Sequence, residues 1–226
     1  MGPLSQKGHR LHCLLGIETS GDLCSVAVGR DASVLSKKSI SMPYGQAGHL
    51  MGLIQEVLTA SETSWKQLDG VVVNRGPGSF TGLRVGLAVA QGISLAGGIP
   101  SFGLTGFAIY RSLENMEKNL LVLIDTRRDD CFVGFFEAGE LDPSFETVMS
   151  YEEISVFYAS QNNLHVVGNV DAVLIPGLIS GREIYPLEAE EGLRSFRFYR
   201  ERDRSDFSSE PYYLRDPEIH GKQIPL

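Results

Sequence analysis

The residues best suited to binding a ligand form a glycine-rich turn between an apolar strand and a helix. The turn lies within Asn74–Gly82, where Gly76 and Gly78 flank a proline that fixes φ between them. Ser79 or Thr81 can cap the following helix and leave its first N–H groups pointing out of the turn. A helix end of this kind attracts anions, phosphate among them.

Two interpretations of this turn stay open, a phosphate cradle and a rigid turn. The spacing G-x-G-x-x-x-G is not the dinucleotide fingerprint, and a P-loop would need Gly-Lys-Ser/Thr where the chain has Gly82-Leu83-Arg84. The segment does predict a close approach to the helix, because Gly82, Gly86 and Ala90 recur every four residues on one face.

Other catalytic and metal-binding patterns are missing from the sequence. No two histidines have ligand spacing, no C-x-x-C pair occurs, and no G-x-S-x-G elbow is present. We therefore predict no catalytic residue and no metal site. Cys13, Cys24 and Cys131 are expected to be reduced thiols in a cytoplasmic protein. The histidines are His9, His12, His49, His165 and His220.

Composition narrows the possible functions. The chain has 226 residues, 42% of them hydrophobic, and a formal net charge of −8, which disfavours a stand-alone nucleic-acid binder. The most apolar run, 87–100, is too short and too rich in glycine to span a membrane. The polar segment 1–12 does not resemble a signal peptide.

Hydrophobic periodicity predicts the order β-β-β-α-β-α-β-α, followed by a shorter version of the same pattern. Crossovers join parallel neighbours, so each sheet is expected to be mixed. We predict a tail over 1–13, a first lobe over 14–117, and a reduced second lobe with a tail over 118–226. The predicted strands are 14–19, 24–28, 33–40, 68–74, 101–104, 119–125, 131–137, 146–149 and 164–168, and the predicted helices are about 48–60, 81–96, 106–116 and 151–159.

The charged segment 188–206 interleaves five arginines with aromatic residues, as nucleic-acid-binding strips do. Six carboxylates lie in the same window, so its charge balance is −1. This balance favours a solvated, salt-bridged face over a nucleic-acid strip.

Four segments together resemble the TsaB family, formerly called YeaZ. The resemblance covers the chain from about Leu14 to Arg215, and its central segment is the most specific part. Cys131 and Phe132 depart from the Val-Tyr that is usual in the family. The four segments are Leu15–Ser20, Arg75–Arg84, Val122–Phe132 and Ser209–Arg215.

The resemblance implies an α/β fold of the actin/hexokinase/Hsp70-like (ASKHA) superfamily, with two related lobes, mixed sheets and a degenerate nucleotide cleft. The implied role is that of a non-catalytic subunit. It would bind and support TsaD as TsaD forms threonylcarbamoyladenosine at position thirty-seven of ANN-decoding tRNAs. TsaE, an ATPase, would bind the assembled pair, and tRNA would be reached only through the complex. A homodimer is expected when TsaD is absent.

The paralogue TsaD is the enzyme with which this chain is most easily confused, since it shares Gly16–Ser20 and Gly76–Gly78. TsaD holds a metal through an H-x-x-x-H pair after its glycine-rich helix, whereas Ser101–Phe107 here contains no histidine. A free-standing nucleotide-binding or kinase-like ASKHA protein is the alternative function.

The family's interface helices match about 48–60 and 81–96 here, and they predict a partner interface made by nine residues. A vestigial nucleotide or phosphate site is predicted from seven others, with Arg127 as the first choice for a polar contact. We expect no nucleotide on the chain alone, and ATP or ADP at the interface with TsaD. The interface residues are Leu50, Leu53, Ile54, Val57, Gly82, Leu83, Gly86, Leu87 and Ala90, and the nucleotide-site residues are Glu18, Thr19, Gly76, Gly78, Ser79, Asp125 and Arg127.

Overall fold

The structure is a computed structural model that describes residues 11–42, 44–161, 163–171, 174–175, 177 and 182–215. Residues 1–10 of the predicted tail and residues 216–226 lie outside this description, and so do His9 and His220.

The first sheet is built on a three-stranded antiparallel meander. Its strands are β1 (Cys13–Glu18), β2 (Leu23–Arg30), β3 (Ser33–Ser41), β4 (Gly70–Asn74) and β5 (Ser101–Leu104), in the order β3-β2-β1-β4-β5. Helices α1 (Gln46–Ala60) and α2 (Phe80–Gly97) are the crossovers that make β4 and β5 parallel to β1. The predicted element order and mixed sheet are confirmed for this lobe.

The second sheet repeats the arrangement. Its order is β10-β9-β6-β7-β8, with β6 and β7 antiparallel and β9 parallel to β6. Helix α3 connects the two sheets, and α5 follows the last strand. The elements are α3 (Gly106–Leu113), β6 (Asn119–Asp125), β7 (Asp130–Phe136), β8 (Phe145–Ser150), α4 (Tyr151–Ser160), β9 (Leu164–Gly168), β10 (Arg182–Ile184) and α5 (Ala189–Arg200).

The helices and sheets alternate in layers. Helices α1 and α2 pack on one face of the first sheet, where Leu50 and Ile54 meet Leu15 and Val26 in a buried cluster. A second cluster, which includes residues of α3 and α5, contains side chains of both sheets. The two lobes therefore share one continuous core between them.

Helix α3 ends at Leu113, before the predicted end at residue 116. Arg111 explains the early stop, because its buried guanidinium donates to the carbonyl oxygens of Asn115 and Met116 at 3.4 and 3.3 Å. The chain must fold back over Arg111 to bring these carbonyls within reach.

The prediction of a solvated face for 188–206 is wrong for half of α5. Leu193, Phe196 and Tyr199 are buried, whereas Arg194 is exposed. The apolar positions recur every three residues and so lie along one side of a helix. Gly16 of β1 lets this helix approach, since a Cβ there would lie 2.6 Å from the carbonyl oxygen of Ala189.

No helix in the described ranges combines the length and the apolar character that crossing a membrane requires.

Candidate functional site

Three N–H groups of the glycine turn donate hydrogen bonds to other groups of the chain. Ser79 caps α2 by accepting from the N–H of Gly82 at 3.3 Å, and its own N–H donates to the carbonyl oxygen of Ser20 at 2.7 Å. The N–H of Gly76 donates to Oδ1 of Asn74 at 2.9 Å. A Cβ on Gly78 would lie 2.5 Å from the same Ser20 oxygen. Backbone of the β1–β2 turn thus fills the space in front of Gly78, which favours the rigid turn over the phosphate cradle.

Thr19 occupies the glycine face of α2. Its side chain is fully buried and donates to the carbonyl oxygen of Gly82 at 2.8 Å. A Cβ on Gly82 would overlap the Thr19 carbonyl oxygen, and one on Gly86 would overlap the Thr19 hydroxyl oxygen. These glycines therefore let the end of β1 contact the helix.

Glu18 is a buried carboxyl group that ties β1 to the same turn. It is 3% exposed, and it accepts from the N–H of Ser20 at 2.6 Å and from Nδ2 of Asn74 at 2.7 Å. Burial raises the pKa of Glu18, although the hydrogen bonds from Ser20 and Asn74 act in the opposite direction. Because Asn74 also holds Gly76, this network has a structural role in shaping the turn.

The cleft between the lobes is acidic. Its cavity has a volume of about 290 Å³, and its lining includes Glu18, Asp22 and Asp125. No lysine or arginine of the described chain lines it. At its mouth, Arg127 of the second lobe reaches Oδ1 of Asp22 at 2.5 Å and so joins the lobes. A lining of this charge repels phosphate groups.

A second cavity, of about 310 Å³, lies beside the start of α2. It is lined by Gly78, Ser79 and Arg127, and by residues of the segment that follows α5. Thr19 and Gly76 line neither cavity. The seven residues of the predicted nucleotide site are therefore divided between two cavities and the packed interior.

The structure corrects the predicted partner interface. All nine of its residues are buried within the chain, so none offers surface to another protein. The reason is that the broad apolar stripe of each helix packs on the chain's own sheet. A large side chain at Gly86 would thus test the fold and not docking. These buried residues are Leu50, Leu53, Ile54, Val57, Gly82, Leu83, Gly86, Leu87 and Ala90.

The opposite faces of the same helices are exposed, and they carry residues that the predicted nine-residue interface does not include. A Cβ on Gly48, Gly52 or Gly92 would meet nothing within 4 Å. Met51 is 49% exposed and Leu95 is 87% exposed. We call these five residues the outer helix face. The sequence signal was available, since Gly48 and Gly52 are one helical turn apart and off the apolar stripe.

An apolar groove of about 690 Å³ continues the outer helix face toward the end of α2. Its lining includes Met51, Trp65, Val89, Ile93 and Ile99. The groove and the outer helix face share Met51 and Gly92 and are therefore continuous.

Metal-binding and thiol chemistry find no support in the described ranges. No group of three or more His, Cys, Asp or Glu residues there could hold a metal ion. Cys13, Cys24 and Cys131 are buried, and burial raises the pKa of each thiol, to about 11 for Cys24 and about 12 for Cys131.

Comparisons with known proteins agree with this fold. The sequence model of the family described as "TsaD: tRNA N6-adenosine threonylcarbamoyltransferase" matches residues 46–151. The chain is 29% identical over 130 residues to the tRNA threonylcarbamoyladenosine biosynthesis protein TsaB of Escherichia coli (strain K12). The match covers 56% of this chain and 56% of that protein, so the chain spans little more than half the length of this relative.

Solved structures extend the likeness of fold over most of the chain. YeaZ from Pseudomonas aeruginosa aligns with a TM-score of 0.73 and 23% identity, covering 90% of this chain and 100% of that one. A Bacteroides thetaiotaomicron protein with an actin-like ATPase fold aligns with a TM-score of 0.50 and 10% identity, over 82% and 95% of the two chains. The predicted ASKHA fold is confirmed. In sequence and in fold, the chain is similar to TsaB (YeaZ) proteins, and its residues 46–151 match the model of the TsaD family.

Proposed function

We propose that this chain is a non-catalytic subunit that binds and supports TsaD in forming threonylcarbamoyladenosine at position thirty-seven of ANN-decoding tRNAs. It docks through the outer helix face, Gly48, Met51, Gly52, Gly92 and Leu95, with the apolar groove at one end. When TsaD is absent, the same face closes a homodimer.

The observation that carries this proposal is the three open glycines. Glycine within a helix costs about 1 kcal/mol relative to alanine. Gly48, Gly52 and Gly92 have no internal contact that requires the absence of a Cβ, in contrast to Gly82 and Gly86. A second helix can approach closely where side chains are missing. A docking partner thus gives these glycines a role that the isolated chain does not.

Charge supports the same surface. Along α1 the only side chain with a fixed charge is Glu56, and along α2 it is Arg84. Glu56 is paired with Lys38 of β3. Exposed helix faces are ordinarily charged, and interface centres are depleted of charge. Met51 and Leu95 supply exposed apolar area for burial against a partner.

The charge of the whole chain indicates which components of the complex bind tRNA and nucleotide. A net charge of −8 leaves phosphate neutralisation to the partners, so tRNA is bound through the complex. The cleft lined by Glu18, Asp22 and Asp125 disfavours ATP or ADP there on the chain alone, because carboxylates repel phosphate groups. We therefore place the nucleotide at the interface with TsaD, and TsaE on the assembled pair.

The test compares Gly52→Trp and Gly92→Trp with Val156→Trp, a control on α4 where Val156 is 68% exposed. We expect all three variants to fold, because each site is open to solvent. Affinity for purified TsaD is measured by calorimetry. It should fall at least about tenfold in the two glycine variants and stay unchanged in Val156→Trp. Reconstituted tRNA modification should fall with it. Wild-type affinity in both glycine variants would disprove docking through this face.

A further inference from the structure

The segment Asp206–Arg215, which we call the C-terminal strap, runs along the open edge of the first sheet. The N–H of Gly103 on β5 donates to the carbonyl oxygen of Phe207 at 3.1 Å, and the N–H of Tyr212 donates to that of Arg75 at 2.7 Å. The Phe207 ring is buried, 4.8 Å from the ring centroid of Phe196 on α5. The strap thus covers a strand edge that would otherwise be open to pairing.

Two glycines of the first lobe make room for the strap backbone. A Cβ on Gly103 would overlap the carbonyl oxygen of Ser208, and a Cβ on Gly76 would overlap that of Tyr212. Gly76 belongs to the turn that leads into α2. The strap is therefore packed against that turn through backbone and not through flexible side chains.

The strap is anchored to the second lobe by two side chains. The Tyr212 hydroxyl donates to the carboxylate of Glu146 on β8, and Arg215 pairs with Asp130 at the start of β7. Burial acts to raise the pKa of Asp130, but hydrogen bonds from Thr126 and Arg215 outweigh it and leave the pKa below its usual value. The two anchors together hold the strap across the two sheets.

The strap also contacts the exposed side of α2. The Tyr213 ring lies 5.3 Å from that of Phe80, the first residue of α2, and its hydroxyl accepts from Nε of Arg84 at 3.3 Å. The Arg84 guanidinium stacks 3.8 Å from the Phe80 ring centroid. About two turns further, Nε2 of Gln91 donates to the carbonyl oxygen of Ser209 at 3.4 Å.

We propose that the C-terminal strap is a clasp that sets the position of the first turns of α2, and that its closure and the docking of a partner on α2 are coupled. The positioning depends on the isolated chain alone, whereas the coupling rests on the proposed function. A partner that favours one position of α2 must favour the closed clasp equally, because such coupling is reciprocal.

The test removes both second-lobe anchors while leaving the aromatic core intact, in the double variant Tyr212→Phe/Arg215→Ala. The control is Arg200→Ala, an exposed arginine on α5. Hydrogen exchange is followed by mass spectrometry on the isolated chain. We expect about tenfold faster exchange in peptides covering 206–215 and 75–84, with the β6 and β9 peptides unchanged. Faster exchange in the strap alone would overturn the positioning role.

Coupling is tested with TsaD added. Binding of TsaD should slow exchange of the wild-type strap, and its affinity should fall severalfold in the double variant. Unchanged affinity despite a loosened α2 overturns the coupling. Failure of the wild-type chain to bind TsaD would instead refute the proposed function and leave the exchange result standing. If the double variant does not fold, hydrogen exchange of the 75–84 peptide is measured instead in Tyr213→Leu, which keeps both anchors.

Discussion

Substitution by alanine should change the stability of the chain in opposite directions at two glycines of α2. On Gly92 an added Cβ meets nothing within 4 Å, so Gly92→Ala gains helix propensity and stabilises the chain by roughly 0.5–1 kcal/mol. On Gly86 the Cβ would overlap the hydroxyl oxygen of Thr19, which is buried and donates to the Gly82 carbonyl at 2.8 Å. Relief of the overlap must move Thr19 or separate α2 from β1.

The size of the loss at Gly86 follows from these two terms. Breaking the Thr19 hydrogen bond costs about 1 kcal/mol, and overpacking at a tight contact costs about 1–3 kcal/mol. The gain in propensity offsets about 1 kcal/mol. We therefore expect Gly86→Ala to destabilise by about 1–3 kcal/mol, which lowers Tm by about 2–12 °C in a chain of this size. Gly92→Ala should raise Tm by about 1–4 °C.

The assay is equilibrium unfolding in guanidinium at low chain concentration, with the slope m compared between variants. Thr19→Ala provides the diagnostic background, because it removes the overlapping oxygen, and the Thr19 Cβ would then lie at an ordinary 3.6 Å from the new methyl. In that background Gly86→Ala should be neutral or stabilising. An equal loss in both backgrounds, or a stabilised Gly86→Ala, would refute the reasoning.

Three further predictions concern buried polar groups. Because the folded pKa of Glu18 is raised, its contribution to stability is fully present below the unfolded pKa of about 4.3 and is lost as pH rises through the folded value; the free energy of unfolding of wild type should therefore fall relative to that of Glu18→Gln from pH 4 to pH 7 in urea titrations, and a difference independent of pH would contradict this. Arg111→Met removes the guanidinium donor from four backbone carbonyls, of which those of Met116 and Glu137 keep a backbone N–H, and should cost about 2–6 kcal/mol in thermal unfolding; a loss below about 1 kcal/mol would show that these bonds matter little. Cys13, Cys24 and Cys131 should react with a thiol reagent at pH 8 only as fast as the chain unfolds, and rapid labelling of the native chain would show that their burial is incomplete.

The order of elements could be predicted from the sequence because each strand and helix has a clear hydrophobic period. The bounds of β5, β6 and β9 agree with the predicted 101–104, 119–125 and 164–168. Each of these is a short apolar segment followed by turn or capping residues, and such local signals need no knowledge of the fold.

What each helix face contacts could not be predicted in the same way. The repeat of Gly82, Gly86 and Ala90 predicts a close approach on one face of α2 but not the group that approaches, which the structure shows to be Thr19. Thr19 follows β1, which approaches α2 from a distant part of the chain. Similarly, the charged composition of α5 predicts a solvated face, whereas the apolar contacts of Leu193 and Phe196 bury one side of the helix.

The candidate nucleotide residues show the same limit. Glu18 and Asp125 do line one cleft, at the ends of β1 and β6, where strand order alone would bring them. The roles of Thr19 and Gly76 depend on a hydrogen bond and on a carbonyl oxygen from remote segments. Neither contact has a signature in the local sequence.

The burial of α5 between the sheets has a consequence for synthesis of the protein. Helix α5 packs on β1, β2 and β4, whose residues leave the ribosome long before it does. Until Leu193 and Phe196 emerge, the inner face of the first sheet has no cover, and Leu14 and Val72 remain open to water. The nascent chain therefore cannot complete this part of its interior until α5 has been translated, and the stages before α5 are those most in need of a chaperone.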